Sequence, residues 1–510
     1  MNNVLEYLEE SYKRCPYKTA AMDERISCTY RQLTEEARCI GTMLLGKTNM
    51  RKPIVVFMDK GVTALKTFMG ILYAGCFYTL LDPSFPADRI GMIFKTLKND
   101  IVITEPDKEA KLKEAGFEGE ILIVSDLYRD ASVDEVALAA VRNKMVDTDP
   151  IYCNFTSGST GIPKGVLICH RSVIDFIDCF TDMFHITGDD VIGNQAPFDF
   201  DVSVKDIYST LKMGATLVII PKAYFMFPNR VVDMLEENNV TTLIWAVSAL
   251  CLLSRLHGLN YKIPSHINKI LFSGEVMPVK QLNLWRSCYP DALFVNLYGP
   301  TEITCNCTYY VLDRPFSEGD ILPMGTAFPN ERVMLLDEAD HEITKENTFS
   351  HGEICVAGSS LALGYYNNPE MTAKSFVQNP LNGTFPETIY RTGDLAYYND
   401  EGLLCFAGRK DFQIKHMGHR IELEEVESVL NAVSIVGHAC CFYDEEAGKL
   451  VACYVGGDDK KLIVSEMKKH VPEYMVPNVL KRMDELPLTK NGKTDRKLLK
   501  ETYTKKRIDK

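Results

Sequence analysis

Runs of apolar residues alternate with amphipathic segments along most of the chain. Buried strands are predicted where apolar residues stand together, as at Ile54–Met58, Ile101–Thr104 and Ile270–Ser273. Helices are predicted where apolar positions recur with a helical period, as at Val4–Tyr12, or form a longer run, as at Gly61–Ala74. The alternation of strands and helices indicates layered α/β structure with mainly parallel sheets.

The pattern changes after about residue 320, where short strands alternate with turns. A βαβ-like unit follows near the end of the chain, with its helix at Glu422–Val433. We therefore expect an α/β fold with a large N-terminal domain, residues 1–410, made of two αβ-layered subdomains and a β-rich subdomain at about 320–410. Residues 411–510 would form a small, mobile α+β C-terminal domain.

The composition is that of an ordinary globular protein of 510 residues, with 46% hydrophobic and 25% charged residues. The longest apolar runs, Phe68–Leu81 and Leu243–Leu253, are shorter than a membrane span, so we expect no membrane insertion. The net charge of −13 argues against nucleic-acid binding. Sixteen cysteines are scattered through apparent core segments without a secretory leader, which indicates a reduced, cytoplasmic protein.

One glycine-rich stretch, residues 155–165, reads Phe-Thr-Ser-Gly-Ser-Thr-Gly-Ile-Pro-Lys-Gly. Glycines let backbone N–H groups point into one concavity, and hydroxyls and an ammonium add donors, so the stretch predicts a loop for a phosphate chain. A Walker A loop would have Ser or Thr after the lysine, where Gly165 stands. A flexible Ser/Gly linker is the alternative, disfavoured because apolar strands flank the stretch. The candidate phosphate-binding residues are Thr156, Ser157, Gly158, Ser159, Thr160, Gly161 and Lys164.

Five further segments have the chemistry of a site for anionic reactants. They are Phe198–Asp201, Asn296–Glu302, Tyr390–Asp394, Gly408–Asp411 and Lys490–Lys493. In this order and at these separations, the motifs resemble the adenylate-forming superfamily of acyl-CoA synthetases, luciferases and amino-acid adenylation domains. The sequences at 272–278 and 411–415 are particularly similar to stand-alone D-alanine–carrier protein ligases.

The resemblance implies ATP and Mg²⁺ as cofactors and gives the nucleotide a set of contacts. The glycine-rich loop would cover the β- and γ-phosphates. Asn296 would contact the adenine amino group, and Tyr298, followed by Gly299, would stack on the base. Asp394 would bind the ribose hydroxyls, with help from Arg409.

Thr301, Glu302 and Lys493 are the catalytic residues that the resemblance implies. Thr301 would contact the α-phosphate, Glu302 would hold Mg²⁺, and Lys493 would bridge the attacking carboxylate and the α-phosphate. Both reactants are anions, so Mg²⁺ and Lys493 would offset their repulsion. A carboxylate is already ionised, so no general base is needed.

Asp201 favours the amino-acid-activating branch, because a buried substrate ammonium needs a charge partner. Ser273 stands where D-alanine ligases commonly carry cysteine. An inward Lys205 would favour an acidic or polar substrate side chain, and an outward one a small residue such as alanine or serine. The pocket aligned with this branch comprises Asp201, Val202, Lys205, Ile244, Leu271, Ser273, Leu297, Cys305 and Asn306.

A second half-reaction is also implied, in which the C-terminal domain swings about a hinge at Asp411 and the acyl group passes to a thiol. The segment near Gly418 would then enter the site. His416 and Met417 stand where most relatives have an aliphatic residue and an arginine. No Gly-Gly-x-Ser attachment motif follows Lys493, so we expect the acceptor, a phosphopantetheine thiol, on a separate carrier protein.

The expected function is ATP-dependent formation of an aminoacyl-adenylate with pyrophosphate release, then transfer to a carrier protein, as in nonribosomal peptide synthesis. We expect a monomeric, AMP-forming ligase. The nearest alternative is an acyl- or aryl-CoA synthetase, against which Asp201 argues. A catalytically silent nucleotide-binding protein is a third hypothesis, disfavoured by the presence together of Lys493, Glu302 and Asp394.

Overall fold

The computed structural model describes residues 1–129, 132–158, 161–488 and 494–508, with side chains as far as residue 505. None of the helices in these ranges is long and apolar enough to cross a membrane. The α-helices are Leu5–Arg14, Tyr30–Leu44, Val62–Tyr73, Ala87–Leu97, Glu109–Glu114, Glu135–Arg142, His170–Met183, Val202–Met213, Pro228–Glu237, Val247–Arg255, Gly258–Tyr261, Val279–Cys288, Pro369–Ser375, Leu423–Ala432, Lys460–His470 and Arg496–Ile508. Short 3₁₀ helices lie at Pro106–Lys108, Val124–Leu127, Lys222–Met226, Thr301–Ile303 and Glu473–Met475.

The largest sheet is parallel at its centre and antiparallel at both edges, with nine strands within the described residues. Because the central strands Thr242–Ala246, Lys269–Ser273 and Leu293–Tyr298 run parallel, their carboxyl ends meet at one edge, where ligands bind in such sheets. In spatial order the strands are Thr326–Ala327, Thr308–Val311, Leu293–Tyr298, Lys269–Ser273, Thr242–Ala246, Val191–Asn194, Thr216–Ile219, Thr19–Met22 and Ser27–Thr29.

A second layered sheet has seven strands in the same described part of the chain. Pro150–Thr156 and Lys164–Cys169 pair antiparallel, so the glycine-rich stretch connects two strands of one sheet, as predicted. In spatial order the strands are Gly364–Tyr365, Lys164–Cys169, Pro150–Thr156, Phe77–Leu81, Pro53–Phe57, Ile101–Thr104 and Glu120–Ile123.

The predicted β-rich part is an antiparallel sheet in which Leu404–Arg409 pairs with Thr388–Tyr398. Burial alternates along Thr388–Tyr398, as expected of a sheet with one face on the core. The register places Asp394 opposite Arg409. In spatial order the strands are Glu342–Ile343, Glu331–Leu336, Gly352–Gly358, Thr388–Tyr398 and Phe376–Gln378.

The C-terminal part begins with Gln413–His416 paired to His419–Glu422, called here the C-terminal hairpin. Val436–Asp444 then pairs antiparallel with Lys449–Gly456, which pairs parallel with Val479–Arg482. The predicted βαβ-like unit therefore begins later than expected, because only the last two strands are parallel and joined by a helix. Element order alone does not set strand direction.

The predicted fold class is confirmed in its main parts: two layered sheets, a β-rich sheet and a small α+β C-terminal part. The division at residues 410 and 411 and the mobility of the C-terminal part stay predictions. None of the sixteen cysteines, all of which lie within the described residues, forms a disulfide.

A continuous apolar core lies between the two large sheets and includes residues of the helices Tyr30–Leu44 and Val202–Met213. Tyr30 joins these two helices. It is fully buried, and its hydroxyl lies 2.8 Å from the carbonyl oxygens of both Thr210 and Ala215, at the end of Val202–Met213. This contact matters because that helix carries the candidate pocket residues.

Replacing Tyr30 with phenylalanine removes the only proton that the ring can donate there. We expect Tyr30→Phe to lower the free energy of unfolding of the N-terminal part by about 1–3 kcal/mol, because two buried carbonyls lose a donor. Urea denaturation followed by tryptophan fluorescence measures this. The matched control Tyr17→Phe, at a residue 77% exposed, should change stability little. Equal stability of the two variants would contradict the assigned contact.

Candidate active site

The helix Val202–Met213 is called here the pocket helix. Together with Asp201, the residue before it, this helix presents two opposite charges on one face. It begins directly after Asp201 and ends at Gly214, whose φ of 70° is the left-handed conformation that favours glycine. Asp201 and Lys205 are one helical turn apart, so their side chains share a face. Both residues are buried.

Asp201 lies in the wall of a cavity of about 30 Å³ between the carboxyl ends of the central strands and the C-terminal hairpin. The Thr301 hydroxyl hydrogen-bonds to its carboxylate. Burial raises the pKa of Asp201, opposed by the Lys205 ammonium and the Thr301 bond. Among the described residues, no Lys, Arg or His nitrogen lies within 4.0 Å of this carboxylate, so it can accept a cation from a ligand.

Lys205 points into the pocket wall, which settles its direction. Its ammonium donates to Asn306 Oδ1 at 2.6 Å and to Ser273 Oγ at 3.4 Å. The residue is fully buried, and burial lowers the pKa of its ammonium. The outward orientation that would favour a small substrate is therefore not the one in the structure.

The other aligned pocket residues divide into two groups. Val202, Ser273 and Cys305 line the cavity. The Cys305 thiol donates to the Asp201 carbonyl at 3.1 Å. The second group lies in the apolar core beneath the cavity, almost without exposure, and comprises Ile244, Leu271 and Leu297.

The predicted nucleotide residues form a connected chain of hydrogen bonds. The Tyr298 hydroxyl donates to Asp394 Oδ2 at 2.6 Å, and Arg409 bonds to the other carboxylate oxygen of Asp394. Arg409 also donates from Nε to Asp411 at 2.6 Å. Asp394, Arg409 and Gly299 line the same cavity as Asp201, so the structure brings the predicted nucleotide and substrate sites together.

Asn296 and Gly299 support this arrangement from the strand Leu293–Tyr298 and the turn after it. The Asn296 side-chain amide donates to the Pro323 carbonyl at 2.8 Å. Gly299 packs against the segment that carries the pocket acceptor Asn306. A methyl group added at Gly299 would lie 2.4 Å from Asn306 Cα and 2.7 Å from the Cys305 carbonyl oxygen.

The glycine-rich loop contacts the C-terminal hairpin. Ser157 Oγ donates to the Arg420 carbonyl at 2.7 Å and accepts from the Glu422 N–H at 3.2 Å. The Thr156 hydroxyl is buried without a hydrogen-bond partner among the described residues, as expected of a donor that serves a ligand. Gly161 has φ 78°, and burial lowers the pKa of Lys164 to about 8. The other predicted residues of the loop, Ser159 and Thr160, and the predicted catalytic residue Lys493 lie outside the described residues.

Glu302 is fully buried at the junction of the core and the C-terminal part. Arg420 Nη1 donates to its two carboxylate oxygens at 3.0 and 2.8 Å, and the Tyr365 hydroxyl donates at 2.7 Å. Burial alone would raise the pKa of Glu302, but Arg420, Lys164 and Tyr365 hold it at about 2.

An ionised carboxylate is a ligand of the type that suits Mg²⁺, which binds through one or two carboxylates together with phosphate oxygens. The described residues contain no cluster of three or more potential protein ligands, so substrate phosphates would have to complete such a site. Both oxygens of Glu302 are paired with Arg420 in this arrangement, and the metal role of Glu302 stays a prediction.

The C-terminal hairpin is docked on the core. The Gly418 N–H donates to Glu275 Oε1 at 2.9 Å. Beside the hairpin, Arg89 and Glu425 form a buried ion pair at 2.8 Å across the same junction. Gly418 also lines the cavity, while its role in the second half-reaction stays a prediction. The hinge role of Asp411 stays a prediction.

Comparison with known families identifies the architecture. The AMP-binding enzyme family matches residues 8–366, and the AMP-binding enzyme C-terminal domain matches residues 425–493.

The chain belongs to the AMP-binding enzyme family.

Relatives of this family differ greatly in length. Bacitracin synthase 1 of Bacillus licheniformis is 34% identical over 97% of this chain, which spans only 9% of that synthase. The D-alanine–D-alanyl carrier protein ligase of Staphylococcus aureus is 31% identical, with 98% of this chain and 99% of the ligase aligned. The structure of holo-PA1221, an NRPS protein containing adenylation and PCP domains, has a TM-score of 0.83 at 25% identity, covering 98% of this chain and 84% of that one. The predicted superfamily is confirmed.

Two residues of this candidate site are not evident from the sequence. Tyr365 donates to Glu302, and the Lys415 ammonium lies 5.8 Å from the centre of the Tyr298 ring. The motifs predict Glu302 and Tyr298 but not their partners, which are distant in the chain. The sequence indicates only that a buried carboxylate at Glu302 needs hydrogen-bond donors, and it does not say which residues supply them.

We predict that Gly299→Ala displaces the pocket loop. Its new methyl group would meet backbone atoms of residues 305–307, which cannot rotate away. We expect a loss of about 1–3 kcal/mol in the free energy of unfolding, measured by urea denaturation. The matched control is Gly383→Ala, where a methyl group meets nothing within 4 Å. Similar losses in both variants would contradict the tight packing at Gly299.

A second prediction concerns the ion pair at the junction. Arg420→Met leaves Glu302 buried and charged, so undocking of the C-terminal hairpin should become about 100-fold more favourable. Hydrogen exchange at residues 413–422 measures this directly. Because the pKa of Glu302 is below the usual glutamate value, the pair contributes fully above about pH 5 and is lost only as the pH falls toward 2.

The wild-type protection of the hairpin, corrected for intrinsic exchange, should therefore be constant between about pH 5 and 8. Arg482→Met is the control, because Arg482 donates only within the C-terminal part, to the Gly456 carbonyl. Unchanged exchange in Arg420→Met would show that this pair does not hold the hairpin.

Proposed function

We propose that this chain is an AMP-forming ligase that activates an amino acid with ATP and transfers it to the phosphopantetheine thiol of a carrier protein. The names of its relatives support this proposal, since they include a D-alanine–D-alanyl carrier protein ligase aligned over nearly its full length. A carrier domain also occurs beside the adenylation domain of holo-PA1221.

The observation that carries the proposal is the buried carboxylate of Asp201. Within the described residues it has no cation within 4.0 Å, and it faces the cavity that the nucleotide residues also line. A buried carboxylate without a counter-ion is unfavourable, and the α-ammonium of an amino acid would supply one. A fatty acid or aryl acid would leave Asp201 unpaired.

The residues around the cavity suit attack of a carboxylate on the α-phosphorus of ATP. The new bond joins a substrate carboxylate oxygen to phosphorus, and pyrophosphate leaves. Thr301 would hold the α-phosphate, Asp394 and Arg409 the ribose, and the Thr156 and Ser157 hydroxyls the leaving phosphates. Bound at Glu302, Mg²⁺ would neutralise charge that develops on the phosphate oxygens. Lys493 would bridge the reacting groups.

Transfer to the carrier thiol would follow with the C-terminal hairpin docked, as it is in the structure. The thiol sulfur bonds to the acyl carbon, and AMP leaves. Docking seals the cavity with Gly418 and Lys415, while Arg420 pairs with Glu302. Because Arg420 occupies both oxygens of Glu302 here, Glu302 would be free to hold Mg²⁺ only with the hairpin undocked. Asp411, bonded to Arg409, is the proposed hinge.

The alternative is a CoA synthetase acting on acyl or aryl acids. Its substrate would lack an ammonium, so the same site would bury Asp201 at a cost of several kcal/mol without return. The observation at Asp201 therefore favours the amino-acid ligase.

The test is ATP–pyrophosphate exchange with the purified chain across all amino acids, including D-isomers. We expect exchange with at least one amino acid, and Asp201→Asn should lower kcat/KM for it about 100-fold or more while changing the KM for ATP little. Asp199→Asn is the matched control, because burial raises the pKa of that acid to about 7 and neutralising it costs little. Exchange with acyl or aryl acids alone would contradict the proposal.

A further inference from the structure

Lys205 is a buried cation close to the buried anion Asp201 at the start of the pocket helix. Lys205 is fully buried, one turn after Asp201 and on the same helical face. No carboxylate oxygen of the described residues lies within 4.0 Å of its ammonium. The two charges lower and raise each other's pKa at longer range, but within the described residues neither has an ion-pair partner within 4.0 Å.

Within the described part of the chain, Lys205 donates hydrogen bonds to neutral acceptors only. Its ammonium donates to the Asn306 amide oxygen at 2.6 Å and, more weakly, to Ser273 Oγ at 3.4 Å. An ammonium has three donors, so at least one remains for a ligand. Ser273 lines the cavity, and Cys305, the neighbour of Asn306, lines it too. Lys205 therefore lies directly behind the cavity wall and contacts it through Ser273.

The other buried lysine of the described residues is neutralised differently. Lys66, 7% exposed, lies 2.8 Å from a carboxylate oxygen of Glu36. The half-buried Lys60 donates to the Asn194 side chain and to backbone carbonyls, so neutral acceptors alone do not indicate a ligand site. Lys205 differs from both lysines because one of its acceptors, Ser273, lines the cavity.

The adjacent acid, Asp206, does not fill this role. Its Oδ2 accepts from the Asn194 side-chain amide at 2.6 Å, and neither of its oxygens lies within 4.0 Å of the Lys205 ammonium. Burial raises its pKa to about 7, so it carries only part of a charge at neutral pH. The charge of Lys205 therefore calls for an anion from the ligand.

We propose that the substrate is an acidic amino acid, aspartate or glutamate. Its α-ammonium would pair with Asp201 and its side-chain carboxylate with Lys205, while Ser273 and Asn306 hold Lys205 in place. The two charges of the substrate would match two charges of one helix face. This inference rests on the proposed function, since it assumes that an amino acid occupies the cavity.

The pairing gives a physical reason for selectivity. An acidic side chain satisfies Lys205, whereas its amide analogue offers a neutral oxygen and an N–H₂ group that repels the ammonium. A small neutral residue leaves the cation unpaired. Such a site rejects a ligand without the carboxylate, because that ligand leaves the Lys205 ammonium unpaired.

The first experiment measures ATP–pyrophosphate exchange for aspartate, glutamate, asparagine, glutamine, alanine, serine and glycine, with both isomers of each chiral one. We expect aspartate or glutamate to give the highest kcat/KM, exceeding its own amide roughly 100-fold. A neutral amino acid as the best substrate overturns the inference and leaves the proposed function standing. No exchange with any amino acid overturns both.

The second experiment compares variants at buried lysines. Lys205→Met keeps the side-chain length and removes the charge, so the ratio of kcat/KM between the acidic substrate and its amide should fall from roughly 100 toward 1. Lys66→Met is the matched control, a buried lysine outside the pocket, and should keep the wild-type ratio. An unchanged ratio in Lys205→Met overturns the inference. If that variant does not fold, the wild-type substrate panel decides.

Discussion

The pair of Glu302 and Arg420 joins parts of the chain that lie 118 residues apart in sequence. Glu302 is fully buried, so its charge is tolerated only because Arg420 and Tyr365 supply donors to it. Arg420 belongs to the C-terminal hairpin, and its pairing closes the cavity over Asp201. The position of one carboxylate thus determines which face of the C-terminal part meets the core. The metal that we propose at Glu302 and the docked hairpin would require the same oxygens.

The same electrostatic constraint acts inside the pocket, with a different outcome. Glu302 finds its counter-ion within the protein, whereas Asp201 and Lys205 do not find one within 4.0 Å among the described residues. Groups buried without partners cost stability, and active sites are where proteins retain such costs. The proposed substrate would relieve both. A buried charge that is paired within the protein, as at Glu302, stabilises the docked hairpin, whereas the buried charges of Asp201 and Lys205 would select the substrate.

Much of this arrangement could be predicted from the sequence. The strand Ile101–Thr104 has the predicted bounds, because a short apolar run between polar residues is a local signal. The motifs also predicted that Asp201 and Asp394 would share one site, since ordered motifs resemble a family with a known layout. Contacts between distant parts could not be predicted, as with Arg420 and Tyr365 on Glu302. Nor could the direction of Lys205, because only the packing of Asn306 and Ser273 around it decides that.

We propose that Asp201 recognises the α-ammonium of an amino acid in the cavity. Isothermal titration of the purified chain with a non-hydrolysable aminoacyl-sulfamoyladenosine and with its desamino counterpart tests this without turnover. The amino acid chosen is the one that gives the fastest exchange. We predict that removing the ammonium weakens binding roughly 100-fold, because Asp201 is then buried without a counter-ion. Equal affinity for the two compounds would contradict it.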